Sequence, residues 1–287
     1  MADAQKQEFD IPYRVVSITE KTHKTSYPAI SPSRPALSQA GRTVLITGGS
    51  GGIGYGIALA FATAGADRVI IVGRDEAKQQ AAAASLAAEA GPASHTKFEG
   101  KAASPGSPEN IDSLWDALAS EGVLVDVLVL NAAFIVHVRS VNHYSERFWK
   151  QNVDKKRYLV NVATSAIHEW EAGVNTKAYA LTKNSGVLLL QQVARDTPIS
   201  KMQIVSFHPG AILSPGAKSA GATERTLDWD DISLPSSVAI WAASDEAAFL
   251  HGRFIWSAWD VEELRSGPLR ERIEQDENYL RIGVHGV

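Results

Sequence analysis

The 287-residue chain has no cysteine. That excludes a disulfide framework, a thiolate nucleophile and a cysteine-ligated zinc. It has no apolar run approaching the length that crosses a bilayer, the stretch at Val69 to Val72 being typical, so no membrane partner is expected. The first residues, MADAQKQEFD, lack the basic start and apolar stretch of a secretory signal, and a cytoplasmic location is expected. Strong charge of either sign is absent too. The 32 acidic and 28 basic residues leave a formal charge of −4, which provides no electrostatic footprint for nucleic acid. What remains is ordinary: 45% apolar and 21% charged residues, in a length that can bury a large core without staples.

Pro12, Pro28, Pro32 and Pro35 each disfavour helix at the residue before them, so residues 1–41 read as an extended N-terminal arm and 42–287 as one domain. A β-branched run at 43–47 is followed at once by glycines and then by apolar residues at helical spacing (Ile53, Ile57, Ala60, Phe61, Ala64). Strand, turn and helix follow in that order. Further strands are expected at 68–72, 97–102, 125–130, 158–162, 202–207 and 252–256, with helices at 76–90, 110–120, 145–155 and 176–194. Continuous apolar strands alternating with helices predict a single-domain, Rossmann-like, doubly wound parallel α/β sheet. No repeat of solenoid period is present.

The turn Thr47-Gly48-Gly49-Ser50-Gly51-Gly52-Ile53-Gly54 lies where the first strand passes into a helix. Glycine there permits positive φ and a close backbone approach, and the free N–H groups of the helix start favour a pyrophosphate. Gly48, Ser50, Gly52, Ile53 and Gly54 are therefore candidate dinucleotide-binding residues. About twenty residues on, where a carboxylate would bind an adenosine ribose, the second strand ends in Gly73-Arg74. A guanidinium pairs with a 2′-phosphate, so NADP is expected over NAD, the alternative being that Asp75 takes the ribose.

Tyr179 and Lys183 are four apart on a predicted helix and share a face. An ammonium beside a phenol stabilises the phenolate and makes Tyr179 a usable proton donor and acceptor. The spacing alone also describes a surface pair. The preceding strand, however, delivers Thr164 and Ser165 to the carboxyl end of the sheet, where open α/β sheets bind ligands.

Together with Asn131-Ala132-Ala133 and Pro209-Gly210, these motifs resemble the short-chain dehydrogenase/reductase family over residues 40 to 260. The segments His23-Lys-Thr-Ser-Tyr-Pro-Ala-Ile and Ala247-Ala-Phe-Leu-His-Gly-Arg-Phe-Ile-Trp are similar to a fungal branch whose members are often assigned to secondary metabolism. The resemblance implies NADPH-dependent reduction of a ketone or aldehyde, reversible as alcohol oxidation. Tyr179 would be the general acid, Lys183 would lower its pKa and bind the nicotinamide ribose, and Thr164 or Ser165 would polarise the carbonyl. Asn131 would support the adenosine side and the Ile212 backbone the nicotinamide amide. Asn152 matches an asparagine that holds a relay water.

One departure stands out. Only Asp154 to Arg157 separate Asn152-Val153 from the next strand, so the helix between strands 4 and 5 is short for the family. That helix commonly forms a dimer interface, so a homo-oligomer is expected only if its remnant still serves. The shortening also keeps open a cofactor-binding but redox-silent protein, or a non-redox cyclase on the same scaffold. The Pro- and Gly-punctuated segment 214–231 reads as a mobile cover for substrate. His168-Glu169 lacks the second histidine of a zinc-protease motif, and no metal site is expected. His208 reads as a structural residue or a lining of the cleft.

Overall fold

The computed structural model describes residues 15–104, 106–132, 138–151, 154–169, 177–219 and 221–284, with the backbone alone for 138–140. Seven strands, β1 (Thr43–Thr47), β2 (Arg68–Gly73), β3 (Lys97–Ala102), β4 (Val127–Leu130), β5 (Arg157–Val162), β6 (Met202–His208) and β7 (Arg253–Trp256), form one sheet. Their order is β3-β2-β1-β4-β5-β6-β7 and every pairing is parallel. The order reverses between β1, which continues outward to β2, and β4, which continues outward to β5. That reversal opens a crevice at the carboxyl ends of β1 and β4.

Parallel neighbours need crossovers, and helices supply them: α1 (Gly52–Thr63), α2 (Glu76–Ala90), α3 (Pro108–Ser120), α4 (Val138–Lys150), α5 (Lys177–Asp196), α6 (Pro215–Ser219), α7 (Ser233–Ala242), α8 (Val261–Leu264) and α9 (Gly267–Gln275). Alternate strand residues face opposite ways. Val44, Ile46, Val69 and Ile71 join Ile57, Phe61, Leu86 and Trp241 in the layer under α1, α2 and α7. Leu45, Ile70, Leu128 and Leu159 join Trp115, Tyr144, Phe148 and Leu190 in the layer under α3, α4 and α5. Both faces of the sheet are therefore covered, as the apolar strands require.

The helix that crosses from β4 to β5 lies elsewhere than expected. α4 has 13 residues against 20 in α5, and it runs over 138–150, not 145–155. Tyr144 and Phe148, four apart, supply the buried stripe that fixes the helix on the sheet. Its end is set from the next strand: buried Arg157 donates to the carbonyls of Phe148 and Trp149, satisfying C-terminal acceptors of α4. Ahead of β1, Ile30 and Leu37 are buried in the layer with α7, and the His23 N–H donates to the Ala258 carbonyl at 2.8 Å. Among the described residues no helix is long and apolar enough to cross a membrane.

Candidate active site

Gly48, just after β1, has φ +70°, and a Cβ there would press on the Ala132 backbone and the Asn131 amide. At Gly54 a Cβ would overlap the Gly48 carbonyl oxygen, so glycine is what allows α1 to start this close to the turn. Asn131 holds the reversal point shut behind it. Its Nδ2 donates to the carbonyls of Thr47 (3.0 Å) and Gly48 (3.1 Å), while Thr47 Oγ1 accepts the N–H groups of Asn131 (3.0 Å) and Ala132 (3.1 Å). No side chain caps the start of α1, so its first N–H groups are left for a ligand. Left-handed Gly48 and Gly52, the close approach at Gly54 and the uncapped helix fit a dinucleotide pyrophosphate.

On one side of this turn lies a cavity of about 220 Å³ lined by Ser50, Gly73, Arg74, Asp75, Lys78 and Gln79, among others. The Asp75 carboxylate is engaged as the N-cap of α2, accepting the Lys78 N–H at 3.0 Å. Arg74 and Lys78, both exposed, supply positive charge to the cavity. Lys78 and Gln79 were not anticipated from sequence. Lys78 had a signal, its position four after Arg74 at a helix start. Gln79 is buried, sits where Cβ atoms on Gly73 or Gly100 would be, and donates to Ser50 Oγ at 3.1 Å.

On the other side a cleft of about 460 Å³ brings Gly48, Ser50, Gly52 and Ile53 together with Asn131, Tyr179 and Lys183. Tyr179 and Lys183 reach it from the first two turns of α5. The Lys183 ammonium donates to the Val162 carbonyl at 2.8 Å, and burial pushes its pKa down to about 8. The Thr164 side chain lies near enough to the Tyr179 phenol to favour its ionised form, but burial outweighs this and raises the phenol's pKa. Desolvation is the larger influence on this phenol, which is neutral at pH 7.

Of the two adjacent hydroxyl residues, Thr164 is the one that meets Tyr179. Ser165 is buried and its N–H donates to His208 Nδ1 at 3.1 Å. Pro209, Ser214 and Pro215 line the cleft, whereas Ile212 is not among the lining residues and its carbonyl accepts the Ser214 N–H at 2.6 Å. Asn152 lies outside the described residues.

A doubly wound sheet with a glycine turn at its reversal point, facing a tyrosine and lysine four residues apart, defines a class, the dinucleotide-dependent oxidoreductases. Comparison with known proteins narrows it. The short chain dehydrogenase family model matches residues 42–157. The chain is 35% identical to a short chain dehydrogenase/reductase of Claviceps purpurea, covering 92% of this chain and 93% of that one. It is 32% identical to the short chain dehydrogenase/reductase AacuD of Aspergillus aculeatus, covering 93% and 96%. Among solved structures, the Pseudomonas aeruginosa RhlG/NADP complex matches with a TM-score of 0.68 at 23% identity, over 78% of this chain and 97% of that one. The L-sorbose reductase of Gluconobacter frateurii, complexed with NADPH and L-sorbose, matches at 0.67 and 18%, over 77% and 96%. The two structures bear on the fold alone. The two fungal sequences carry the assignment: the chain belongs to the short-chain dehydrogenase/reductase family.

Proposed function

We propose that the chain reduces a ketone or aldehyde with NADPH, with Tyr179 as the general acid. The observation that carries this is the cleft in which a neutral phenol, with Lys183 in the same lining and the Thr164 side chain close by, faces the phosphate-binding turn. NADPH, when bound, supplies the hydride to the carbonyl carbon. Tyr179 gives its proton to the carbonyl oxygen as negative charge develops there, and the Thr164 hydroxyl stabilises the same oxygen. Lys183, a cation below about pH 8, returns positive charge to a site that burial has made unfavourable for the phenolate left behind. Arg74 and Lys78 would pair with a 2′-phosphate, while one oxygen of the Asp75 carboxylate is engaged in capping α2.

The segment 214–231 is proposed as the cover over substrate. Its base is tied off, since the Asp230 N–H donates to the Ala211 carbonyl and the Asp230 carboxylate accepts the Ala211 N–H, both at 2.8 Å. Gly210, at φ +89°, leaves room for that carboxylate. The test is NADPH consumption at 340 nm against a panel of aromatic ketones and aldehydes, with NADH in parallel. Oxidation of NADPH in preference to NADH is expected, with kcat falling as pH rises through about 8 as Lys183 loses its proton. Binding of NADPH with no oxidation across the panel would overturn the proposal.

A further inference from the structure

Resting on the reductase function proposed above, we propose that His208 is a positioning residue, holding the Thr164 hydroxyl in its catalytic place through the backbone N–H of Ser165. Thr164 cannot be aimed by its own strand alone, because β5 ends at Val162 and the hydroxyl stands at the entrance of a short turn, Ser165–Ile167. That turn is gripped from three directions. From β6, His208 Nδ1 accepts the Ser165 N–H at 3.1 Å. From β7, Trp256 packs edge-on against His208 at 4.6 Å and donates its Nε1–H to His168 Nε2 at 3.1 Å. From α5, one residue beyond Lys183, Asn184 Nδ2 donates to the Ile167 carbonyl at 2.9 Å.

Thr164 Oγ1 accepts the Ala166 N–H of this same turn at 3.4 Å, which ties the hydroxyl to the turn, and the Thr164 side chain acts on the Tyr179 phenol. Any rotation of the turn therefore swings the hydroxyl. Of the three grips, His208 holds the residue next to Thr164. It accepts at Nδ1 only as the neutral tautomer protonated on Nε2, and burial keeps it neutral by lowering its pKa to about 3. A buried Ser165 N–H deprived of its acceptor is left unsatisfied, which drives the turn to seek another partner.

The test compares His208→Asn with His208→Gln. The Asn carbonyl stands near the Nδ1 position and keeps the acceptor, whereas the Gln carbonyl stands near Nε2. With the best-reduced aromatic ketone of the panel, kcat should fall at least about tenfold in the Gln variant and less than about threefold in the Asn variant, with the NADPH KM within about twofold in both. Because the effect runs through Thr164, the Asn–Gln difference should vanish in a Thr164→Ala background. Equal kcat in the two variants, a difference that survives Thr164→Ala, or one that falls on the NADPH KM would overturn the assignment. A measurement without variants covers a Gln variant that fails to fold. Imidazole ¹⁵N shifts should show His208 Nδ1 unprotonated, and a proton on Nδ1 would refute the grip. Tyr179→Phe separates this failure from that of the reductase function: an inactive Phe variant with no Asn–Gln contrast removes the role of His208 alone, and an active one removes both.

Discussion

The carboxyl edge of the sheet is finished differently on the two sides of the reversal point. On the β1–β2 side, backbone does the holding: glycines pressed against carbonyls, with Thr47 and Asn131 knitting β1 to β4. On the β5–β7 side, buried side chains grip a turn that has little regular structure of its own, through partners 43, 88 and 17 residues distant. The first side combines steric exclusion at glycines with hydrogen bonds from an amide and a hydroxyl, neither of which titrates near neutral pH. The second is built on hydrogen bonds from groups that must stay neutral, which ties it to protonation.

The largest effect that breaks this comparison is expected from Gly54→Val. Its branched side chain would collide with the Gly48 carbonyl, and NADPH affinity, followed by fluorescence, should drop at least about 100-fold. Wild-type affinity in that variant would mean the turn is not sterically determined. A smaller effect falls on the other side, as a pH dependence of stability. The folded-state pKa of His208 lies at about 3, below its ordinary 6.5, so its contribution is complete above about pH 6.5 and is lost as pH falls toward 3. Between pH 6.5 and 5 this amounts to roughly 2 kcal/mol at about 1.4 kcal/mol per unit. Urea unfolding at pH 7 and 5 should show the wild type losing more than His208→Asn by about that amount, and parallel losses would contradict it. The smallest effect is expected at the rim. Replacing Arg74 and Lys78 by alanine should narrow the NADPH-over-NADH preference by about tenfold, because both side chains are exposed and screened. An unchanged ratio would remove them from 2′-phosphate recognition.

The same contrast explains what could be read from the sequence. The glycine turn, β1 and α1 are contiguous in the chain, so their pattern carried the fold's first unit. Continuous apolar runs separated by helices announced a parallel sheet covered on both faces, but its strand order emerges only from the pairings. Neighbouring Thr164 and Ser165 look alike in the sequence; what separates their surroundings is His208, from another strand, which takes the Ser165 backbone N–H. The position of α4 was half legible. A helix was expected over 145–155, which overlaps α4, but Arg157, which takes its final carbonyls, lies beyond it in the chain. Gln79 was hidden in an alanine-rich helix that advertises only helix propensity. The burial of Tyr179, which raises its pKa, could not be read from the spacing to Lys183, because it depends on residues distant in the chain.

The central claim is that the Tyr179 phenol, beside Lys183 at the mouth of the nucleotide cleft, delivers the proton. Tyr179→Phe removes one oxygen and leaves the cleft walls in place. Its turnover at 340 nm should fall at least about 1,000-fold while NADPH affinity stays within about threefold of wild type. Turnover within about tenfold of wild type, at undiminished NADPH affinity, would contradict the account.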